Sequence, residues 1–316
     1  MVLTVVHQYA PDLAAAIAPR LPQGVAFTAL GETADTGWSV PADADVLLIS
    51  QNSAAVGLGR NMARPTGWPF NLKWVHLRST GIDKYPDWIY EAPLLTVSRG
   101  IYAVPISEYV LAAMLSFAKG MPGLWATERA EWHSRKLGGL AGATLGIVGF
   151  GAIGKAIATR ALAFDMTVLG TRRSGGDSGM EGVAIAPLAE VLARADHLVL
   201  CAPLTEETRG MIDAKAMAAM KPGAHIVNIG RGPVLDTQAL LPALQWLGGA
   251  TLDVTDPEPP PEGHWLYGHP KVRLSPHVSG SSPQTEAVVT DLFLDNLRRF
   301  MAGESLDGVV DRAARY

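Results

Sequence analysis

Residues 144–154 read Thr144-Leu145-Gly146-Ile147-Val148-Gly149-Phe150-Gly151-Ala152-Ile153-Gly154: an apolar run, then three glycines spaced G-x-G-x-x-G, then a helical pattern reaching Ala163. Each glycine has a physical task at this spacing. Gly149 permits a tight turn, Gly151 lets a pyrophosphate approach the backbone, and Gly154 lets the helix pack closely on the strand, while the helix N-terminus offers free amides to the anion. Glycine triplets also arise by chance, so the weight lies in the context: a strand before, a helix after. The stretch therefore predicts a dinucleotide fold, with Gly149, Gly151 and Gly154 against the cofactor.

Moving outward, the next strand is Met166-Thr167-Val168-Leu169-Gly170-Thr171. An acidic residue at its end would hold a free ribose 2′-hydroxyl, but here stand Arg172, Arg173 and Ser174. A guanidinium fork pairs bidentately with a phosphate, and a carboxylate repels it. The pair predicts NADP as the preferred cofactor, with NAD possible; the alternative is a pair of solvated turn residues ahead of the segment from Ser174 to Gly179.

From Thr144 onward, apolar strands alternate with helical patterns, which predicts a parallel sheet covered on both faces. Six strands are expected: Thr144 to Val148, Thr167 to Thr171, His197 to Cys201, His225 to Ile229, Gly249 to Asp253 and Val272 to Leu274. Helices begin near Ala152, Pro187, Asp213 and Thr237. Upstream, Leu3 to Val6, Val25 to Thr28, Val46 to Ile49, Trp74 to Leu77 and Leu94 to Val97 form a smaller α/β set. A long helix over Ile106 to Lys119 precedes the fingerprint, and another over Pro283 to Met301 returns to the first domain. The fold class expected is α/β with two domains: a Rossmann-type doubly wound parallel cofactor domain (100–281) inserted in a smaller flavodoxin-like substrate domain (1–99 and 282–316). Crossings near Ser98 to Pro105 and Gly280 to Pro283 are the expected hinges.

The 316 residues are 48% hydrophobic and 18% charged with a net charge of −4, so large cores are available and no global basic field argues for nucleic acid. Cys201 is the one cysteine and lies in an apolar run, which excludes an intramolecular disulfide and fits a reducing, cytoplasmic setting. Residues Val2 to Val6 read as a strand rather than a secretory leader. The apolar run Val110 to Ala118 is too short to cross a bilayer. No membrane role and no metal site are expected.

Three polar residues stand just past successive strand ends, where open α/β sheets place ligands: Arg231, Glu258 and His277. Arg231 can pair with a carboxylate and polarise a neighbouring carbonyl. His277 can supply a proton to that oxygen as hydride reaches the carbon, and Glu258 beside it favours the proton-bearing imidazole and orients the ring. Taken singly, each has a structural alternative: a loop cap, a solvated acid, a satisfied histidine. Together, beside a dinucleotide fingerprint, they fit the reduction of a 2-oxo acid.

From about Trp74 to Gly280 the chain resembles the D-isomer-specific 2-hydroxyacid dehydrogenase family. The resemblance is carried by the fingerprint, by Ser107-Glu108-Tyr109-Val110, by Leu140 to Gly146 leading into the fingerprint, and by the Arg231, Glu258 and His277 motifs. It implies Arg231 as the substrate arginine and His277 with Glu258 as acid and base. It also implies that the amides of Thr80 and Gly81, in Arg78-Ser79-Thr80-Gly81-Ile82-Asp83, hold the substrate carboxylate; otherwise this is an ordinary strand-to-helix turn. It likewise implies Asp253 near the nicotinamide carboxamide, and Ala152, Ile153, Pro203, Thr208, Ile229 and Gly230 near the cofactor. The arginines at 172 and 173 make the chain similar to NADPH-dependent reductases of glyoxylate and hydroxypyruvate. Glu258 counts against a formate dehydrogenase, and the end at Tyr316 against a phosphoglycerate dehydrogenase with a regulatory extension. The family implies a homodimer paired through Ile106 to Lys119 and Leu124 to Trp132. Two alternatives stay open: a dinucleotide-sensing binding module with little turnover, and an NAD-dependent dehydrogenase of another 2-hydroxy acid. Among the aromatic residues, Trp265-Leu266-Tyr267 is the expected source of a substrate-facing ring.

Overall fold

The computed structural model describes residues 2–30, 40–49, 62–121 and 123–312. The chain divides into two units, Met1–Ile101 with Ser282–Tyr316, and Tyr102–Ser281.

The first unit begins with β1 (Leu3–His7), α1 (Pro11–Ile17), β2 (Val25–Ala29), β3 (Val46–Ile49), β4 (Trp74–Leu77) and β5 (Leu95–Val97). These strands make one sheet in the order β2-β1-β3-β4-β5, and every pairing is parallel. That is the flavodoxin-like winding, entered from sequence as an expectation. Both faces are buried, so successive side chains feed two cores. Val5, Val46, Leu48 and Trp74 pack on one side with Leu13 and Ile17 of α1. Val6, Leu47, Ile49, Val75 and Leu77 pack on the other with Trp68, Tyr85 and Trp88. This alternation is why β3 reads as a continuous apolar run, and β4 as one broken only by His76, instead of a two-residue rhythm.

The second unit opens on α2 (Ala103–Lys119), closed by Gly120 at φ 69°. Its first turn begins three residues before the expected Ile106, because Pro105 falls where a helix has no use for an N–H and therefore does not break it. There follow β6 (Thr144–Val148), α3 (Ala152–Leu162), β7 (Thr167–Thr171), β8 (Val183–Ile185), α4 (Leu188–Arg194), β9 (His197–Leu200), α5 (Ala214–Ala218), β10 (His225–Asn228), α6 (Thr237–Ala243), β11 (Gly249–Leu252), α7 (Trp265–Gly268) and β12 (Val272–Leu274). The sheet order is β12-β11-β10-β9-β6-β7-β8, parallel throughout. It has seven strands where the sequence suggested six. The extra one, β8, is a three-residue edge strand of half-exposed residues, too short to show a period.

Again the strands alternate. Leu145 and Ile147 of β6 and Val199 of β9 face α2 and α3, whereas Val148, Leu198 and Leu200 face α4, α5 and α6. Full burial of each such side chain contributes about 1.5–3 kcal/mol, against which single hydrogen bonds are small. Asp213 and Asp236 cap α5 and α6 by accepting from main-chain amides. Helix α8 (Thr285–Ala302) returns to the first unit, burying Phe293, Leu294 and Leu297 in the core that holds α1. No helix among the described residues is long and apolar enough to cross a membrane.

Candidate active site

In the fingerprint, the three glycines divide the work. Gly149 has φ +97°, and a Cβ on it would lie 2.5 Å from the main-chain nitrogen of Ala202. Gly154 would place a Cβ 3.0 Å from the Gly149 carbonyl oxygen and 3.2 Å from Ile147, so its absence sets the packing of α3 on β6. A Cβ on Gly151 would meet nothing within 4 Å. Gly151 is also the N-cap of α3 and no side chain caps that helix, so the amides of its first turn, starting at Ala152 and Ile153, have no side-chain acceptor. This cradle fits a dinucleotide pyrophosphate: an anion meets donors and a positive helix end without meeting a side chain. Cys201 supports the turn by donating to the Gly149 carbonyl at 3.0 Å. Burial pushes its thiol up to about 12, so it is no nucleophile.

At the end of β7 the two arginines differ. Arg172 donates from Nε to the Gly175 carbonyl at 2.8 Å and from its terminal nitrogen to the Asp177 carbonyl. Its guanidinium thus staples the 174–179 loop. Arg173 is 57% exposed and lies 4.0 Å from the Glu207 carboxylate. The loop after β9 is closed on itself, Thr208 donating to the Pro203 carbonyl at 2.7 Å and accepting from the Thr205 amide at 2.8 Å. A Cβ on Gly230 would lie 2.9 Å from the Ala202 carbonyl oxygen, so β10 ends hard against the end of β9. Ile229 is buried in the core beside α2, which leaves its main chain as the part that can reach a cofactor.

Arg231, Glu258 and His277 come from the loops that follow β10, β11 and β12. Asn228 shapes the first loop: its Oδ1 accepts from the Gly230 amide at 3.2 Å and its Nδ2 donates to the Arg231 carbonyl at 3.1 Å. A Cβ on Gly232 would fall 1.9 Å from the Thr255 carbonyl oxygen, so the chain just after Arg231 lies directly on the segment leading to Glu258. No side chain fits there. The Asp256–Pro257 and Glu258–Pro259 peptides are both cis. Glu258 Oε1 stands 2.8 Å from His277 Nδ1, with the two side chains 27% and 39% exposed. An ionised carboxylate has no proton to donate, so Nδ1 carries the hydrogen and Nε2 is the ring nitrogen left to exchange a proton with a substrate.

His277 adopts φ 55°, a left-handed conformation that costs a non-glycine residue on the order of 1 kcal/mol. Asp253 holds it there. The Asp253 carbonyl accepts from the His277 amide at 2.9 Å. Its buried carboxylate accepts from Ser275 Oγ at 2.5 Å and from the Val278 amide at 2.9 Å on one oxygen, and from the Ser279 amide at 3.0 Å on the other. Sequence reasoning placed Asp253 near the nicotinamide and missed this clamp; only the acidic residue immediately after a strand hinted at it. Tyr109 on α2 reaches the same cluster, its hydroxyl 2.6 Å from Ser275 Oγ.

In the first unit, Thr80 and Gly81 lie in the loop after β4. Thr80 Oγ1 donates to the Ser98 carbonyl at 2.7 Å and Ser79 Oγ to the Gly81 carbonyl at 2.8 Å, so the loop hydroxyls are spent on shaping the backbone. A buried chain runs beneath. Trp74 Nε1, which can only donate, meets Thr96 Oγ1 at 2.8 Å, and Thr96 meets His76 Nδ1 at 2.8 Å. His76 Nε2 then faces Ser98 Oγ at 3.2 Å. Ser98 Oγ turns its hydrogen toward the Leu77 carbonyl at 3.4 Å and so accepts from His76, which is protonated on Nε2. Burial pushes His76 down to about 3, consistent with a neutral ring.

Trp265 belongs to α7, and its ring packs on the core beside β10 and β11. Tyr267 is exposed and donates to the Pro260 carbonyl at 3.0 Å. Among the described residues, no group of three His, Cys, Asp or Glu side chains is placed to hold a metal ion.

Residues 111–279 match the family model for the NAD binding domain of D-isomer specific 2-hydroxyacid dehydrogenases. The chain is 41% identical over 229 residues to a glyoxylate reductase of Pyrococcus furiosus, covering 65% of this chain and 68% of the relative. It is 32% identical over 249 residues to a glycerate dehydrogenase of Methylorubrum extorquens, covering 74% and 77%. In three dimensions it is similar to a D-isomer specific 2-hydroxyacid dehydrogenase from Xanthobacter autotrophicus Py2, solved in complex with NADPH and MES. The TM-score is 0.81 at 26% identity, with 100% of each chain covered.

Proposed function

Since this chain belongs to the D-isomer-specific 2-hydroxyacid dehydrogenase family, we propose that it reduces short 2-oxo acids, glyoxylate and hydroxypyruvate, with NADPH as the preferred cofactor. That it is an oxidoreductase using a nicotinamide cofactor follows from the family; the substrate and the phosphate preference are our reading. The reading rests above all on the Glu258–His277 pair, 2.8 Å apart on neighbouring sheet-end loops.

The reduced nicotinamide, when bound, supplies the hydride. Arg231 pairs with the substrate carboxylate and polarises the adjacent carbonyl. As the carbonyl oxygen gains charge, His277 passes its Nε2 proton to it, giving the 2-hydroxy acid. Glu258 stabilises the cationic imidazole before transfer and keeps Nδ1 protonated afterwards, so the ring recovers its proton at Nε2 from solvent. Arg173 contacts the 2′-phosphate, and Arg172 holds the 174–179 loop in the shape that lets it do so. The similarity to a solved relative in complex with NADPH supports this preference.

We also propose a homodimer. Trp125 and Trp132 are 65% and 84% exposed, an apolar surface in the segment after α2 that a second copy would cover. Sedimentation should give a mass near twice 33.5 kDa.

The decisive assay is the initial rate of NADPH and NADH oxidation with glyoxylate, hydroxypyruvate and pyruvate. Fast turnover with NADPH on the first two is expected, and His277→Asn should cut kcat by roughly 10²–10⁴ while NADPH still binds. An NADH preference would remove the arginine reading, and full turnover in His277→Asn would remove the proton-donor role.

A further inference from the structure

Tyr109 stands on α2, distant in sequence from every catalytic loop, yet its hydroxyl is 2.6 Å from Ser275 Oγ, and Ser275 Oγ is 2.5 Å from Asp253 Oδ1. Proton counting orients this chain. Asp253 is 1% exposed and already accepts two main-chain amides, which is the behaviour of an ionised carboxylate with no proton to give. Ser275 must therefore donate to Asp253. A serine hydroxyl has one hydrogen, so once it is committed Ser275 can only accept from Tyr109. Burial, opposed in part by the hydrogen bond to Ser275 and reinforced by the charge of Asp253, raises the Tyr109 hydroxyl above its ordinary value, so it stays a donor across the working pH range.

We propose that Tyr109 is a positioning residue for His277, acting through Ser275 and Asp253. The proposal rests on the reading of His277 as the proton donor. The mechanics follow from the bonds already described. His277 occupies a left-handed conformation, and such a conformation persists only where its surroundings over-determine it. Asp253 provides that constraint by gripping the loop on both sides of His277, at Ser275 and at Val278 and Ser279. Donation from Tyr109 polarises the Ser275 hydroxyl, strengthening its bond to the carboxylate. It also denies that hydroxyl the freedom to turn elsewhere. Removing the phenolic oxygen leaves Ser275 able to rotate, Asp253 short of one donor, and the His277 ring free to leave the line of proton transfer. The N-terminal half of α2 thereby becomes part of the catalytic support, although Tyr109 itself is given no contact with substrate.

The test is a cycle of Tyr109→Phe, Ser275→Ala and the double variant, assayed with NADPH and glyoxylate, with Ser275→Thr as the variant that keeps the hydroxyl. Each single loss is expected to lower kcat roughly tenfold with both KM values within about twofold, since neither variant removes a group assigned to substrate or cofactor. The double variant should be no slower than the slower single one, because both break the same chain. Ser275→Thr should recover most of the rate. Wild-type kcat in Tyr109→Phe, losses that multiply in the double variant, or a Ser275→Thr enzyme as slow as Ser275→Ala would each overturn the proposal. If Tyr109→Phe folds poorly, the Ala and Thr variants at 275 carry the test alone. His277→Asn measured in parallel separates the two levels. If it is inactive while Tyr109→Phe is unaffected, only the positioning role falls; if it turns over normally, the proton-donor reading falls with it.

Discussion

At the residue scale the two arginines after β7 carry different loads. Arg172 is committed to two carbonyls of its own loop, whereas Arg173 lies 4.0 Å from the Glu207 carboxylate, and the proposed function gives the 2′-phosphate to Arg173. Losing a charge-assisted bond of this kind costs about 2 kcal/mol, roughly a thirtyfold change in an equilibrium. Arg173→Ala should therefore raise the KM for NADPH roughly thirtyfold and leave that for NADH within about twofold; equal changes would remove Arg173 from the phosphate site. Sequence could place Arg231, Glu258 and His277 past successive strand ends because each follows a strand that its apolar run betrays. It could not find the Asp253 clamp, which depends on where main-chain amides at 278 and 279 come to rest. Nor could it divide the labour of Arg172 and Arg173, since that is settled by which way a glycine-rich loop turns.

At the element scale the strands of both sheets were readable because their apolar runs are bounded by turn residues, whereas β8 was not. Another hidden feature joins β9 to β10. His197 and His225 are direct partners in the register, with Nδ1 atoms 3.3 Å apart. Phe117 of α2 stacks on His225 at 4.2 Å and 5°, and Thr251 of β11 meets its Nε2 at 3.0 Å. Only one of two such nitrogens can hold a hydrogen, so the two rings cannot both be charged. Burial pushes His197 down to about 4, against a partly opposing Asp196, and His225 down to about 3. Unfolded histidines take up protons below about 6.5, so the unfolded chain binds more protons than the folded one between that value and about 4. Stability should then be level above pH 7 and fall as pH drops from 6.5 toward 4, by up to about 1.4 kcal/mol per pH unit for each histidine. Chemical denaturation at pH 7.5, 6 and 5 measures this. His225→Phe should flatten the slope; an unchanged slope would place the acid sensitivity elsewhere.

For the whole molecule, two units with separate cores imply separate melting. Calorimetry should resolve two transitions, and NADPH at a hundred times its Kd should raise one of them by the equivalent of about 2.7 kcal/mol. That one should be the unit with the fingerprint, Tyr102–Ser281. A single transition moved as a whole would show that the cores unfold together.

The ring of Tyr102 lies where a Cβ on Gly280 would come within 3.0 Å of it. The first and nearly the last residue of the second unit are thus a side chain's width apart. To the surrounding chain, this whole unit is an interruption with almost no span: closure entropy depends only weakly on loop length, so the gap between the ends matters more than what hangs from them. Such a cassette could be lifted out, resealed by a short linker, or replaced by another nucleotide-binding unit with the same stance.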